Sequence, residues 1–522
     1  MPTMLNHILK LILEICWPVM LFFTIKFLIS FIKRENKAAI ICLALIGIIM
    51  LYGNFTAPVR GGYDNNHDFQ IMGNSISETK TLFLYKEVSP VFLKSSIDIA
   101  SNYSLAALLT FNRALPLLSL FLFYAGLRSI GSGIISSLLA SVFLFLNFHL
   151  FLNASSFSTT SANFFTIISS FTAFSACFAK QKISDEDIIW IFSATIITSM
   201  ARIETVPALF IMGIGLLYEK RKVKDPILNS FSGKFLSILG IICLMPCLYF
   251  QLFKLSYSTI GLASTYTPLK IISLFHMQMI EENLAILFSP VPAEAFPKNI
   301  KIGIGIFIFI AIIICIFSYV KNKKNSDRIP ALAYLLTAIY FSLLYSWQDL
   351  YPLHFMRHRL FFMIPFAALI PFLLRYINDI IFKIRISRQL KYFFSAFFCI
   401  SYFLLNISTA KALDNELRSN DLEWALLLKE QKFIRENYLV TERILSAKQD
   451  MLNLYYRNAS SKPLKRIIYM PSDYITHTKK RNWEVRYAVP FRTIKFKHAF
   501  HTTFQNETHE KIIIQPGFYL PK

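Results

Sequence analysis

Charge and glycine are both scarce in this 522-residue chain: charged residues make up 16% of it, and there are 16 glycines. Soluble domains carry about a quarter charged residues, so a water-soluble globule of this size is disfavoured. No glycine-rich phosphate loop is present, and the short basic connections leave no room for a nucleotide-binding domain. The seven cysteines all lie inside apolar runs. None shows zinc-type pairing, since Cys243 and Cys247 stand without a second pair, and no disulfide framework exists outside those runs. The N-terminal apolar stretch is not expected to be a cleavable leader. The first apolar stretch, 11–32, is too long for one, and no small-residue cleavage site follows it.

What the chain has instead is hydrophobic surface: 55% of its residues are hydrophobic, and 51 of them are Phe. A bilayer accepts such surface directly, whereas a soluble fold would have to bury it. Spans of about 17–25 apolar residues are expected at 11–32, 38–54, 106–127, 130–148, 160–179, 188–202, 204–218, 235–253, 301–320, 330–346, 360–376 and 392–408. The fold class is therefore mainly α, a polytopic bundle of about 11–12 spans. The stretch 188–218 reads as two short spans meeting at a polar turn, Arg202 to Glu204. In the first span, Glu14 and Lys26 are costly in lipid and are expected to snorkel or to pair with neighbours, unless the segment lies in the interface.

The formal net charge of +23 does not point to nucleic acid, because it is spread over short clusters between apolar runs. Segments 33–37, 180–182, 219–234, 321–328 and 383–391 are the basic ones and are assigned to the cytoplasm. Outward then face the N-terminus, a first long loop at 55–105, 149–159, the 202–204 turn, a second long loop at 254–300, 347–359, and everything after 408. Within 254–300, apolar residues at helical spacing from Leu269 to Leu287 suit a helix lying flat on the membrane. Residues 1–408 form the membrane domain. The tail, 409–522, holds about 20 Lys/Arg against about 12 Asp/Glu and belongs in water or at a headgroup surface. A helix at 423–436 and strands at 443–446, 466–470 and 511–514 make it a small α/β domain.

The residues able to carry chemistry gather at the outward ends of spans. Asp64 and Asp68 lie in the first outer loop, in Gly61-Gly62-Tyr63-Asp64-Asn65-Asn66-His67-Asp68-Phe69-Gln70. A carboxylate there can serve as a general base toward a hydroxyl, or simply solvate the loop. Glu87 follows in the run before Ser89-Pro90-Val91-Phe92. Arg113 is either a snorkelling anchor or a phosphate ligand. Arg202 and Glu204 are intramembrane ionisable groups, functional or paired with each other. His354, Arg357, His358 and Arg359 crowd one short stretch, which is either an anion site or an interfacial belt.

This ordered set resembles the C-type glycosyltransferase superfamily, polytopic enzymes that use sugars linked to a lipid phosphate. Asn66-His67-Asp68-Phe69-Gln70 takes the place of the family's acidic motif. Ser89-Pro90-Val91-Phe92 with Asn112-Arg113 is similar to its proline-containing approach to a basic residue. Arg202-Ile203-Glu204 and His354-Phe355-Met356-Arg357-His358-Arg359-Leu360-Phe361 look like its mid-chain and late motifs. The resemblance covers roughly 38–408 and does not identify the tail. It implies a polyprenyl-phosphate sugar donor, and an envelope glycan, lipid or protein acceptor. The setting it implies is a bacterial inner membrane, with the tail outside the cytoplasm. Asp68 or Asp64 would be the base, and Arg202, Arg357, Arg359 and His354 would hold the donor phosphate. Glu204, Glu87 and Arg113 would support them. The family's Asp-Glu pair is Asp68-Phe69 here, which leaves open which aspartate acts and whether a divalent metal ion takes part. A flippase of lipid-linked saccharide and a glycan polymerase or ligase are the alternative classes. Scarce glycine and the absence of visible repeated halves weigh against the flippase.

Overall fold

A computed structural model describes residues 2–56, 88–101, 105–147, 150–151, 154, 159–228, 230–263, 298–321, 327–346 and 352–381, and five short strands in the tail. The helices are α1 (Pro2–Arg34), α2 (Lys37–Thr56), α3 (Val88–Ala100), α4 (Leu105–Ser129), α5 (Ile134–Phe145), α6 (Thr160–Ala179), α7 (Asp185–Ala201), α8 (Val206–Lys222), α9 (Phe231–Ala263), α10 (Lys298–Lys321), α11 (Arg328–Ser346) and α12 (Pro352–Ile381).

Five helices among the described residues are long and apolar enough to cross a membrane: His7–Arg34, Lys37–Thr56, Ala107–Ser129, Thr160–Ala179 and Phe231–Tyr249. Four shorter apolar helices accompany them, within α5, α10, α11 and α12. The chain is an integral membrane protein, with fewer long spans among the described residues than the 11–12 expected. The expected span 130–148 contracts to the 12 residues of α5, and 392–408 lies outside the described residues. The expected pair at 188–218 is present as α7 and α8, 17 residues each, joined by a 3-10 turn at Ile203–Thr205.

Helix α6 is the axis of the bundle. Its apolar window is 89% buried, against 28% for α1 and 17% for α9. Its sequence suits that place, because it is rich in Ser and Thr, whose small side chains let helices approach and whose hydroxyls find partners inside. Ser170 and Thr198 of α7 share a hydrogen bond of 2.7 Å, and the Thr198 hydroxyl also donates to the Thr166 carbonyl at 2.9 Å. The Thr172 hydroxyl donates to the Leu122 carbonyl of α4 at 3.0 Å. At that crossing Gly126 lets the helices approach closely: a Cβ there would stand 3.3 Å from the Thr172 backbone, a tight contact. On the other side the Ser175 and Tyr334 hydroxyls lie 2.6 Å apart, tying α6 to α11. Rim helices instead turn Phe22, Ile25, Ile29, Ile41, Leu45, Ile48, Ile238 and Ile242 outward, toward lipid.

The two ions of the first segment are both paired. Glu14 stands 3.6 Å from Lys10, one turn back, and Lys26 meets Glu186 of α7 at 2.8 Å. Helix α1 runs unbroken through Pro18.

The basic connections converge at one end of the bundle. Arg128 binds Glu35 at 2.8 Å, joining the α1–α2 and α4–α5 turns, and also donates to the Ser132 carbonyl. Lys180 binds Asp187 at 2.6 Å, and Asp187 closes a capping box with Ser184 at the start of α7. Buried Lys220 donates to the Phe178 and Lys180 carbonyls, filling the C-terminal end of α6. The Asp225 carboxylate accepts the Ile183 and Ile227 N–H groups at 2.8 and 3.1 Å. Arg375 reaches Asp327, the Tyr319 hydroxyl and the Gly131 carbonyl.

Three expected loops are corrected. The first outer loop contains α3, which Pro90 enters within the first turn, where a missing N–H costs nothing. Trp17 donates to the Ser89 carbonyl at 3.2 Å and holds α3 against α1. The second outer loop starts later than expected, because 254–263 continue α9, and 298–300 already belong to α10. The surface helix proposed at 269–287 lies outside the described residues. The third correction is that α12 begins at Pro352, so the His/Arg run is helix and not loop.

In the tail the described residues are strands only: β1 (Ile444–Ser446), β2 (Ile467–Tyr469), β3 (Tyr487–Ala488), β4 (Thr502–Gln505) and β5 (Lys511–Ile514). They form one sheet in the order β2-β1-β3-β5-β4, parallel except for β4 against β5. The helix expected at 423–436 lies outside the described residues, so these strands do not establish the α/β domain expected for 409–522.

Candidate functional site

The end of the bundle opposite the basic turns carries the sequence-predicted arginines. Helix α7 stops at Ala201 because Pro207 sits in the first turn of α8, where its ring bars a continuous helix. Arg202 is left extended, with φ −151° and ψ 123°, and its N–H still bonds the Thr198 carbonyl at 3.1 Å. The Thr205 hydroxyl bridges the Arg202 carbonyl at 2.6 Å and the Thr198 carbonyl at 3.2 Å. These bonds fix the turn on both sides of Arg202.

The side chain so placed is 6% exposed. Its guanidinium carbon lies 4.8 Å from the ring centroid of Phe361, itself 1% exposed. A cation over an aromatic face gains about 0.5–2 kcal/mol, more where water is excluded. A guanidinium presents its donors as a planar fork, which suits an anion. Glu204 stands 3.8 Å away, an electrostatic pair too long for a hydrogen bond. The Tyr340 hydroxyl donates to the Glu204 carbonyl at 2.9 Å, which brings α11 to the same turn.

Phe361 also locates the late motif. It belongs to α12, and helical register sets positions 354, 357 and 361 along one face at spacings of three and four. Position 359 falls on the opposite side by the same register. The structure therefore brings Arg202, with Glu204 beside it, against the third turn of α12 at Phe361. His354 and Arg357 lie on the Phe361 face of the backbone, and Arg359 lies off it. The first turn of a helix carries its positive dipole end, and of the basic run only His354 lies in it. An anion is the natural complement of such a terminus.

Arg113 takes another position, at the end of α2. Its guanidinium carbon lies 5.4 Å from the Phe55 ring, and its carbonyl accepts the Asn54 amide at 2.9 Å. Asp64, Asp68 and Glu87 lie outside the described residues. Among the described residues no three His, Cys, Asp or Glu side chains gather as a metal site.

Sequence reasoning missed Tyr340 and Thr205. A Thr just ahead of a helix-starting Pro is a usable sign of a pinned turn. Tyr340 gives no local sign, since its partner is distant in sequence and is a backbone carbonyl.

No family model matches the chain, and no curated protein matches it. Among solved structures, the crystal structure of ArnT from Cupriavidus metallidurans in the apo state is similar to this chain with a TM-score of 0.47 and 9% identity, over 84% of this chain and 87% of that one. At that level the likeness fixes no shared activity, and the functional reading rests on residues of this chain.

Proposed function

We propose that this protein is a membrane glycosyltransferase that moves a sugar from a polyprenyl-phosphate donor to an envelope glycan, lipid or protein acceptor at the outer face. The observation that carries the reading is Arg202, buried over the ring of Phe361, which lies in the third turn of the helix whose first two turns bear His354 and Arg357. A buried guanidinium at membrane level suits a phosphate. The resemblance of the ordered acidic and basic motifs to the C-type superfamily supplies the rest.

In this reading Asp68 takes the proton of the acceptor hydroxyl, with Asp64 as the other candidate base. The acceptor oxygen bonds the anomeric carbon while the bond from that carbon to the phosphate oxygen breaks, inverting the centre. Polyprenyl phosphate leaves with the electron pair. Arg202 and Arg357, with His354 and Arg359 nearby in sequence, stabilise the charge that grows on it. Glu204 and Arg113 support the site from the 202–204 turn and the α2 end, and Glu87 from the first outer loop. Residues 1–408 form the catalytic membrane domain of a bacterial inner-membrane protein, and 409–522 lie outside the cytoplasm.

The test is sugar transfer in proteoliposomes supplied with polyprenyl-phosphate sugars and an envelope acceptor, comparing wild type with Asp68→Asn. Transfer should fall by about 100-fold or more, as for loss of a general base, with the protein still folded. Full activity in Asp68→Asn removes Asp68 as the base. Movement of the donor across the bilayer without transfer would replace the reading with a flippase.

A further inference from the structure

The basic end of the bundle holds a cavity of about 590 Å³ between α1, α4, α6 and α7. That is within the usual range for a bound organic molecule, about 300–1,000 Å³. Its inner wall is aromatic: Phe23, Phe27 and Phe31 follow one another at every fourth residue of α1, with Trp190 of α7 across from them. Phe27 and Trp190 rings lie 5.1 Å apart, and the Trp190 N–H is held by the Thr24 hydroxyl at 3.1 Å.

The rest of the lining is largely ionic, and its charges do not cancel. Lys26, Arg128 and Lys180 are paired with Glu186, Glu35 and Asp187. Arg34, which also lines the cavity, is exposed at the last residue of α1 and has no ion pair among the described residues. One spare guanidinium therefore stands above an aromatic shaft. It does so at the level where the basic turns meet the headgroup region. Around the flank of α1, Phe22, Ile25 and Ile29 face lipid, so an amphiphile reaches the cavity from the bilayer without crossing water.

We infer that this cavity holds one anionic glycerophospholipid from the surrounding leaflet. Its singly charged phosphodiester sits against Arg34, and one of its acyl chains runs along Phe31, Phe27 and Phe23 while the other stays in the bilayer. A monoanion matches the single uncompensated cation, whereas a choline headgroup of no net charge leaves Arg34 unmatched. The site depends on the membrane placement of the chain and not on the transferase reading, since it lies at the end opposite Arg202.

Native mass spectrometry of the purified full-length protein, after exposure to vesicles of dioleoyl phosphatidylglycerol or dioleoyl phosphatidylcholine, tests it. Wild type should retain one phosphatidylglycerol and little phosphatidylcholine. Arg34→Gln should cut that retention by about tenfold, the scale of one charge-assisted bond. Ser30→Phe, which fills the cavity without changing charge, should do the same. Lys33→Gln removes an equal charge from an exposed neighbour outside the cavity and should leave retention intact. Equal losses in Lys33→Gln and Arg34→Gln would mean surface attraction only and overturn the site. So would retention that survives Ser30→Phe, or equal retention of phosphatidylcholine.

Discussion

Single charged residues in this protein are held by partners whose identity decides what each can do. Glu35 is the clearest case. Burial pushes its carboxyl upward, but the Arg128 guanidinium and the Asn36 N–H together outweigh burial and hold it below the usual carboxylate value of 4.5. A depressed carboxylate stabilises the fold fully above that value, and the contribution fades as pH falls through the lower folded-state value. Thermal denaturation of wild type and Glu35→Gln should therefore differ at pH 7 and converge well below pH 4.5. A difference that grows on acidification would contradict the sign. Sequence alone marked Arg202 as either functional or paired with Glu204. Its stacking on Phe361, about 160 residues away, was not legible, because such contacts follow from packing and leave no local pattern.

At the scale of elements, the long apolar runs located most helices, and they misled where a boundary depends on something other than hydropathy. The loop expected at 347–359 is half helix because Pro352 is a favourable first residue and a helix tolerates His and Arg in its opening turns. Helix α3 was absorbed into a loop because 13 residues are too few for a span, though Trp17 and the core bury its first turn. The packing between α6 and α7 holds the Arg202 turn in register, and Thr198 is its link. This hydroxyl donates to the Thr166 carbonyl, contacts Ser170, and the Thr198 carbonyl accepts from Arg202 and Thr205. Thr198→Val keeps the shape and removes the hydroxyl. It should lower stability by about 0.6–1.7 kcal/mol, the range for hydrogen bonds between membrane helices, measured by denaturant unfolding in detergent. Unchanged stability would show that the hydroxyl seam contributes packing alone.

The whole molecule has two chemically different ends. One collects the basic turns and neutralises four of their basic side chains by internal pairs and carbonyl contacts: Glu35–Arg128, Lys180–Asp187, Lys220 on α6, Arg375–Asp327. That separation was legible, since alternating basic and acidic-aromatic connections are a direct consequence of helices crossing in turn. The other end places a buried arginine against the third turn of α12, at Phe361. The acidic half of the proposed site, Asp64 and Asp68, rests on the sequence motif. The central claim is that the arginine end receives a polyprenyl phosphate. Its direct measurement is equilibrium binding of polyprenyl monophosphate, the sugar-free leaving group, to the purified protein. Wild type should bind, and Arg202→Gln should weaken binding by about tenfold or more, the loss expected for one charged bond. Lys33→Gln at the other end should bind as wild type does. Undiminished binding in folded Arg202→Gln would contradict the account.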